Sequence, residues 1–336
     1  MSNESPGRPH APDVAERRDV DHGFSAGWGL HFQPSVKYWL DCHTHMSETR
    51  AKDALKAVAD WHDTMWAFRL RRHVAVDGFP ERAEALAAAA RGDDRFLWLC
   101  RMKFDAPDVK HLERCKELGA VGLKLHNAPL IQSGAERRSV LSAAWQAVYA
   151  RAGELGMPVL WHVTQRHTAS PYTGGGLHSY WKEGWKNGVT YTNEELLGDF
   201  LEAVAAHRGT TFIGAHQLHI GPERMAALFA AHPNLVVDTS IGCYVAPDDE
   251  MYEEDRVALR AFFLAHADRL LFGSDVVLDR RTANTELLRQ HFLGHVRFIK
   301  QLRLPQEELT KIAHANFERL AGLAEVQPFE WGALRP

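Results

Sequence analysis

Eight short apolar runs, each followed by a stretch of helical periodicity, recur between about residues 37 and 323, and this alternation narrows the possible folds most. The runs are Lys37–His43, Val74–Asp77 (or Met65–Leu70), Phe96–Met102, Ala120–His126, Pro158–Val163, Thr211–Gln217, Leu235–Ser240 and Leu270–Val276. Several are apolar on both faces, as in Val121-Gly122-Leu123 and Leu235-Val236-Val237. A strand reads this way when it is covered on both sides in a parallel sheet. The helical patterns between them are Ala51–Trp61, Glu81–Ala90, Val109–Leu118, Val140–Gly153, Asn193–Ala206, Pro222–Ala231, Asp255–His266 and Thr285–Gln301. Pro222 suits a first helical turn, and Gly119 and Gly156 suit helix stops. Eight such pairs predict an α/β fold, a (β/α)8 TIM barrel, in a single domain.

Composition narrows the partners. At 336 residues, with 45% hydrophobic and 24% charged side chains, the chain can bury a large core. A net charge of −4 argues against nucleic acid or an anionic membrane. No apolar run reaches membrane-spanning length, and Met1 to Asp21 lacks a signal-peptide core. Cys42, Cys100, Cys115 and Cys243 form no C-x-x-C and read as reduced thiols. The expectation is a cytoplasmic protein that acts on a small molecule, with a homodimer left open. Residues 1–35, proline-bearing and without apolar periodicity, read as an N-terminal arm before a barrel of residues 36–336 with a C-terminal helix.

One connection is too long for a compact barrel. About 30 residues separate the run ending near His162 from the helix at Asn193. Gly174-Gly175-Gly176 gives this loop a flexible point, and Tyr172, Tyr180, Trp181, Trp185 and Tyr191 give it apolar area. It reads either as a lid over a substrate or as a surface excursion packed by its own aromatics.

The chemistry concentrates at strand ends, where barrel enzymes place it. In Trp39-Leu40-Asp41-Cys42-His43-Thr44-His45-Met46, period-2 alternation puts Asp41, His43 and His45 on one face and turns Cys42 and Thr44 away. One His-x-His pair is weak evidence, since 20 histidines in 336 residues give about one by chance. Its context is stronger. Lys124 and His126 end the fourth run, His162 the fifth, His216 the sixth and Asp275 the eighth. Three imidazoles and a carboxylate suit a zinc-like ion with one position left for water, whose pKa it lowers toward ~7. Asp275 could bind the ion, take the water's proton, or both, and His216 could orient substrate or donate a proton. His219, three residues past His216, is a candidate substrate contact. His62, His111, His207, His266, His291 and His295 lie on helical patterns and read as surface or packing residues.

Lys124 poses a problem. An ammonium ~5 Å from one net charge would be repelled by about 3 kcal/mol at an effective dielectric of 20, roughly two pKa units. Three solutions stay open: carboxylation by CO2 with two bridged ions, a turn away from the ion toward a substrate carboxylate or phenolate, or a packing role paired with a carboxylate such as Asp41. Arg101 with Lys103, and Arg280 with Arg281, could meet a substrate carboxylate or simply be solvated.

Taken together these segments resemble a known family. Leu40-Asp41-Cys42-His43-Thr44-His45, Gly122-Leu123-Lys124-Leu125-His126, Val159-Leu160-Trp161-His162, Ile213-Gly214-Ala215-His216 and Leu271-Phe272-Gly273-Ser274-Asp275 are similar to motifs of the amidohydrolase superfamily. The similarity is to its amidohydrolase-related group of hydrolases, lactonases and aminocarboxymuconate semialdehyde-type decarboxylases. Ala315-Asn316-Phe317-Glu318-Arg319-Leu320 resembles that group's closing helix. The resemblance implies a metal on His43, His45, His162 and Asp275, and a catalytic His216. It also implies a strand-4 place for Lys124, which is carboxylated in binuclear members. The expected cofactor is one or two divalent ions, zinc first and manganese as the alternative. The expected activity is hydrolysis of an amide, lactone or related bond, with non-oxidative decarboxylation of an unsaturated or aromatic acid as the alternative. Substrate contacts are expected from His126, Arg101, Trp181, His219 and Arg280, and catalytic roles from His216, Asp275 and Lys124.

Overall fold

The computed structural model describes residues 36–164, 186–240, 253–279, 281 and 283–326. The N-terminal arm, most of the long loop with Trp181, and Arg280 lie outside them. Within them the apolar runs form β1 (Trp39–Met46), β2 (Leu70–Gly78), β3 (Phe96–Arg101), β4 (Leu123–His126), β5 (Val159–His162), β6 (Phe212–Gly214), β7 (Leu235–Asp238), β8 (Leu270–Leu271) and β9 (Val276–Leu278). All pair in parallel, in the order β8-β7-β6-β5-β4-β3-β2-β1-β9. The (β/α)8 reading holds, with one refinement: β8 and β9 are two pieces of a single eighth strand. β8 pairs with β7 and β9 with β1, and the Cys42 amide donates to the Phe272 carbonyl at 2.9 Å to close the ring.

The break in strand eight has a local cause. Gly273 lies against β1, where a Cβ would come within 3.1 Å of the His43 Cβ and 3.4 Å of the Asp238 Cβ. Asp275 then adopts a left-handed φ of 61°, a conformation that costs a non-glycine residue about 1 kcal/mol or more.

Two apolar layers follow from strand alternation. Leu40, Val74, Val76, Leu99, Leu160, Ile213, Val236 and Leu271 fill the barrel. Trp39, Trp98, Leu123, Val159, Trp161, Phe212 and Val237 face the helices. Phe317, from the closing helix Asn316–Ala321, joins the inner layer, and the Asn316 amide donates to the Ala267 and Leu270 carbonyls. β1 departs from simple alternation. Leu40 and Cys42, two apart, share the inner layer, and the irregularity falls just after them: the register shifts between Asp41 and Thr44, and the His43 ring reaches the barrel mouth although Cys42 before it also faces inward.

Helices Asn193–Ala206 and Pro222–Ala231 begin and end where periodicity places them. The first opens on a capping box, Thr192 with Glu195. The short helix Ala128–Ser133 was not legible, because six residues carry too little periodicity.

Candidate metal centre and active site

The strand ends converge at one mouth of the barrel. His43 Nε2 lies 3.4 Å and His45 Nε2 3.2 Å from Asp275 Oδ1. Ligand atoms of these three residues all fall within 4.8 Å of one another. His45 and Asp275 stay about a quarter exposed, while His43 is buried, so the group opens to solvent on one side.

A carboxylate stands behind each of the two β1 rings. Asp238, ending β7, faces His43 Nδ1 at 2.9 Å, and Asp77, on β2, faces His45 Nδ1 at 2.8 Å. An ionised carboxylate only accepts, so each Nδ1 carries a proton and Nε2 is the atom turned to the site. Two imidazole Nε2 atoms and a carboxylate oxygen therefore point together. Such a set calls for a cation between its members.

The electrostatics agree. Burial, with help from the Lys124 charge, lowers His43 to about 4, so its ring is neutral near pH 7. Burial opposes the charge on His45, but hydrogen bonds to Asp275 and Asp77 raise it to about 9. That ring holds a proton which a divalent ion would displace. Burial also works against the charge on Asp275, yet the imidazoles of His43, His216 and His45 keep it well below the usual carboxylate range.

His162 and His216 form a second pair. His216 Nε2 lies 3.1 Å from His162 Nδ1. His216 Nδ1 meets Ser240 Oγ at 3.0 Å, and that hydroxyl donates to Asp238 Oδ1. The proton order follows from the anionic end. Ser240 gives its proton to Asp238, His216 Nδ1–H donates to Ser240, and His162 Nδ1–H donates to His216 Nε2. His162 Nε2 is thus a buried acceptor, without a hydrogen-bond partner among the described residues. A buried acceptor of this kind awaits an ion, water or substrate. The His216 ring links the two groups, 5.1 Å from His43 and 4.5 Å from His162. His43, His45 and Asp275 make the tight trio, and His162 reaches it through His216.

An unusual backbone carries His216. Residues 216 to 219 all have left-handed φ, 57°, 50°, 55° and 57°. Gln217 Nε2 donates to the carbonyls of Asp238 and Ser240, Thr164 Oγ1 donates to the Leu218 carbonyl, and the His216 amide donates to Asp238. Residues three apart eclipse in so tight a turn, and the His219 ring stacks on His216 at 5.2 Å. His219 is thereby brought into the site, with Nδ1 3.1 Å from Thr164 Oγ1.

Lys124 is fully buried, its Nζ 3.0 Å from His43 Nε2. The packing alternative with Asp41 does not occur. The Asp41 carboxylate takes the Ser274 hydroxyl and amide and the His43 amide. Burial, then the Arg101 charge, lowers Lys124 to about 8. His126 stacks on His162 at 4.0 Å, and its Nδ1 accepts from the Ala128 amide. Arg101 binds Asp77 at 2.5 Å and lies over the Phe79 ring, so it braces the carboxylate that aims His45.

Asp77, Asp238 and Ser240 are the residues that reading the sequence passed over. Asp77 and Asp238 stand at the C-terminal ends of β2 and β7, the strands to which no site residue had been given. A polar residue closing an apolar run was the available signal. His291, read as surface or packing, has its Nε2 3.1 Å from the Ser274 carbonyl beside Asp275.

The amidohydrolase family model matches residues 40–323. The chain belongs to this family. It is therefore an enzyme of the amidohydrolase superfamily. No curated protein matches it. Among solved structures it is similar to a probable 2-pyrone-4,6-dicarboxylic acid hydrolase from Acinetobacter baumannii, at 14% identity and a TM-score of 0.54 over 85% of this chain and 99% of that one. It is similar to 5-carboxyvanillate decarboxylase from Sphingomonas paucimobilis, at 13% identity and 0.53 over 86% and 100%. Dihydroorotase from Campylobacter jejuni matches at 15% identity and 0.53 over 89% and 88%. At such identities these three share the fold with this amidohydrolase. No helix among the described residues is long and apolar enough to cross a membrane.

Proposed function

We propose that this amidohydrolase is a metal-dependent hydrolase of an amide, lactone or related bond in a small carboxylate-bearing or aromatic substrate. The observation that carries the reading is the convergence of the Nε2 atoms of two imidazoles on Asp275, each ring aimed by its own carboxylate. His43, His45 and Asp275 would hold a divalent ion, zinc first and manganese second, with His162 completing the set through its unpartnered Nε2. Such an ion supplies Lewis acidity and lowers the pKa of water toward neutrality.

The remaining chemistry belongs to the chain's own groups. Asp77 and Asp238 fix the tautomers of the β1 rings. Asp275 accepts a proton at the oxygen that faces both rings. His216 is held between Ser240 at Nδ1 and His162 at Nε2, a chain along which a proton taken up at the site can move and be returned to a leaving group. Arg101, through Asp77, keeps His45 aimed.

Decarboxylation is the second reading, and Lys124 is what favours it. A lysine kept as an ammonium beside His43 could hold a substrate carboxylate, whereas its neutral fraction, available with a pKa of about 8, is what CO2 needs to form a carbamate. Decarboxylases as well as hydrolases stand among the structural neighbours.

A panel of lactones, amides and unsaturated or hydroxybenzoic acids, assayed with and without zinc or manganese, tests the reading. The expected result is metal-dependent cleavage of a lactone or amide. CO2 release from an acid, with deuterium from D2O at the former carboxyl carbon and no lactone or amide cleaved, would establish the second reading instead. Lys124→Ala should lower turnover at least about tenfold. Rescue by a short carboxylic acid marks a carboxylated lysine; unchanged kinetics returns Lys124 to packing.

A further inference from the structure

On the outer face of β3, away from the barrel mouth, two thiols and an imidazole face one another. Cys100 points outward from β3, among the residues that pack under the helices. The helix Val109–Glu117 lies above it and directs His111 and Cys115, four residues apart, from one face. Both cysteines are fully buried and His111 is half-buried. His111 Nε2 lies 3.5 Å from Cys115 Sγ, and the three ligand atoms all fall within 4.8 Å of one another.

We propose that Cys100, His111 and Cys115 form a structural metal site for a thiophilic divalent ion such as zinc, separate from the catalytic centre. Zinc binds sulfur at about 2.3 Å and nitrogen at about 2.0 Å, which puts two ligand atoms of one tetrahedral ion roughly 3.6 Å apart. The His111–Cys115 distance already fits, and closing the rest needs shifts of about 1 Å. Charge fits as well. Two thiolates, a neutral imidazole and a divalent cation sum to zero, the arrangement a buried site tolerates best. The His111 ring also bonds the Arg101 backbone, the kind of outer contact that aims a ligating histidine.

The location gives the ion a task. It would pin the helix to β3 one residue before Arg101, whose guanidinium holds Asp77 and through it His45. A packing role for two thiols would not require the imidazole, and the apolar layer around them would be better filled without it.

Cobalt distinguishes this site from the barrel mouth, where the ligands are nitrogen and oxygen only. Full-length protein stripped of metal and titrated with Co2+ should show the intense near-ultraviolet charge-transfer band of thiolate-bound cobalt. Cys100→Ser and Cys115→Ser should each abolish it, and the exposed-side variant His111→Gln should weaken cobalt binding at least tenfold while preserving the fold. Zinc should slow alkylation of both buried thiols of the wild-type protein in urea concentrations that partly open it, which keeps the proposal testable if a serine variant fails to fold. The proposal falls if wild-type protein shows no such band, if the band survives both serine variants, or if mass analysis of unreduced protein finds Cys100 and Cys115 joined as a disulfide. Because cobalt absorption and alkylation are read without substrate, their failure is distinct from failure of the hydrolase reading.

Discussion

His43 at the barrel mouth and the pair His62–His73 are equally buried, yet they have opposite chemistry. His43, His62 and His73 are all fully enclosed. His62 Nε2 faces His73 Nδ1 at 2.9 Å, one imidazole against another. Among the described residues no carboxylate hydrogen-bonds to either ring, and burial pushes His62 well below its usual value and His73 to about 3. His43 and His45 instead each have an aspartate at Nδ1 and an Nε2 aimed at Asp275. The difference teaches that burial does not separate a ligating histidine from a packing one. The acceptor behind the ring does.

The largest expected effect comes from breaking the convergence. Asp275→Ala should lower turnover by about 10³ or more, roughly 4 kcal/mol, with a parallel loss of bound metal by elemental analysis. Full metal content with turnover intact would remove Asp275 from the centre. His216→Ala comes next, at about 10² in turnover, with metal largely retained. If that variant loses its metal while His162→Ala keeps it, the two roles are exchanged.

A smaller effect tests the lesson itself. Asp238→Asn leaves the ligands in place but removes the anion that orders the protons on His43, Ser240 and His216. Metal affinity or activity should drop about 10- to 100-fold. A change below twofold would mean that the ring geometry is set by packing alone.

The His62→Leu, His73→Leu double variant should leave activity unchanged and alter only the acid limb of stability. Folded His73 takes its proton near pH 3, the unfolded side chain near 6.5. Between these values the unfolded chain binds more protons, so stability falls as pH drops from about 6.5 toward 3, by at most about 1.4 kcal/mol per pH unit for each such group. Urea unfolding at several pH values should show a shallower decline in the double variant. An identical decline would place the acid sensitivity elsewhere.

Much of this comparison could be read from the chain. The ligand-type residues were legible because parallel strands end abruptly and a barrel gathers those ends at one mouth, so His43, His45, His162, His216 and Asp275 needed only strand assignments. Their carboxylate partners were harder. Asp77 and Asp238 come from strands distant in sequence, and an aspartate after an apolar run also reads as the start of a turn. The break in strand eight and the shift within β1 fall where Gly273 packs against His43, a contact with no periodic signature. The turn at residues 216–219 was invisible, because none of its residues is the glycine that announces such backbone.

That turn has a consequence for how the enzyme comes into being. Four consecutive residues sit where an L-amino acid is uncomfortable, at about 1 kcal/mol or more apiece. What offsets this reaches the turn from Thr164, Asp238 and Ser240. None of these neighbours is in place until β5 and β7 flank β6. A chain with its helices formed and its ring still open would relax the turn and swing His216 and His219 apart. Catalytic competence thus serves as a timestamp of ring closure, arriving after the bulk of the helical signal when the chain refolds.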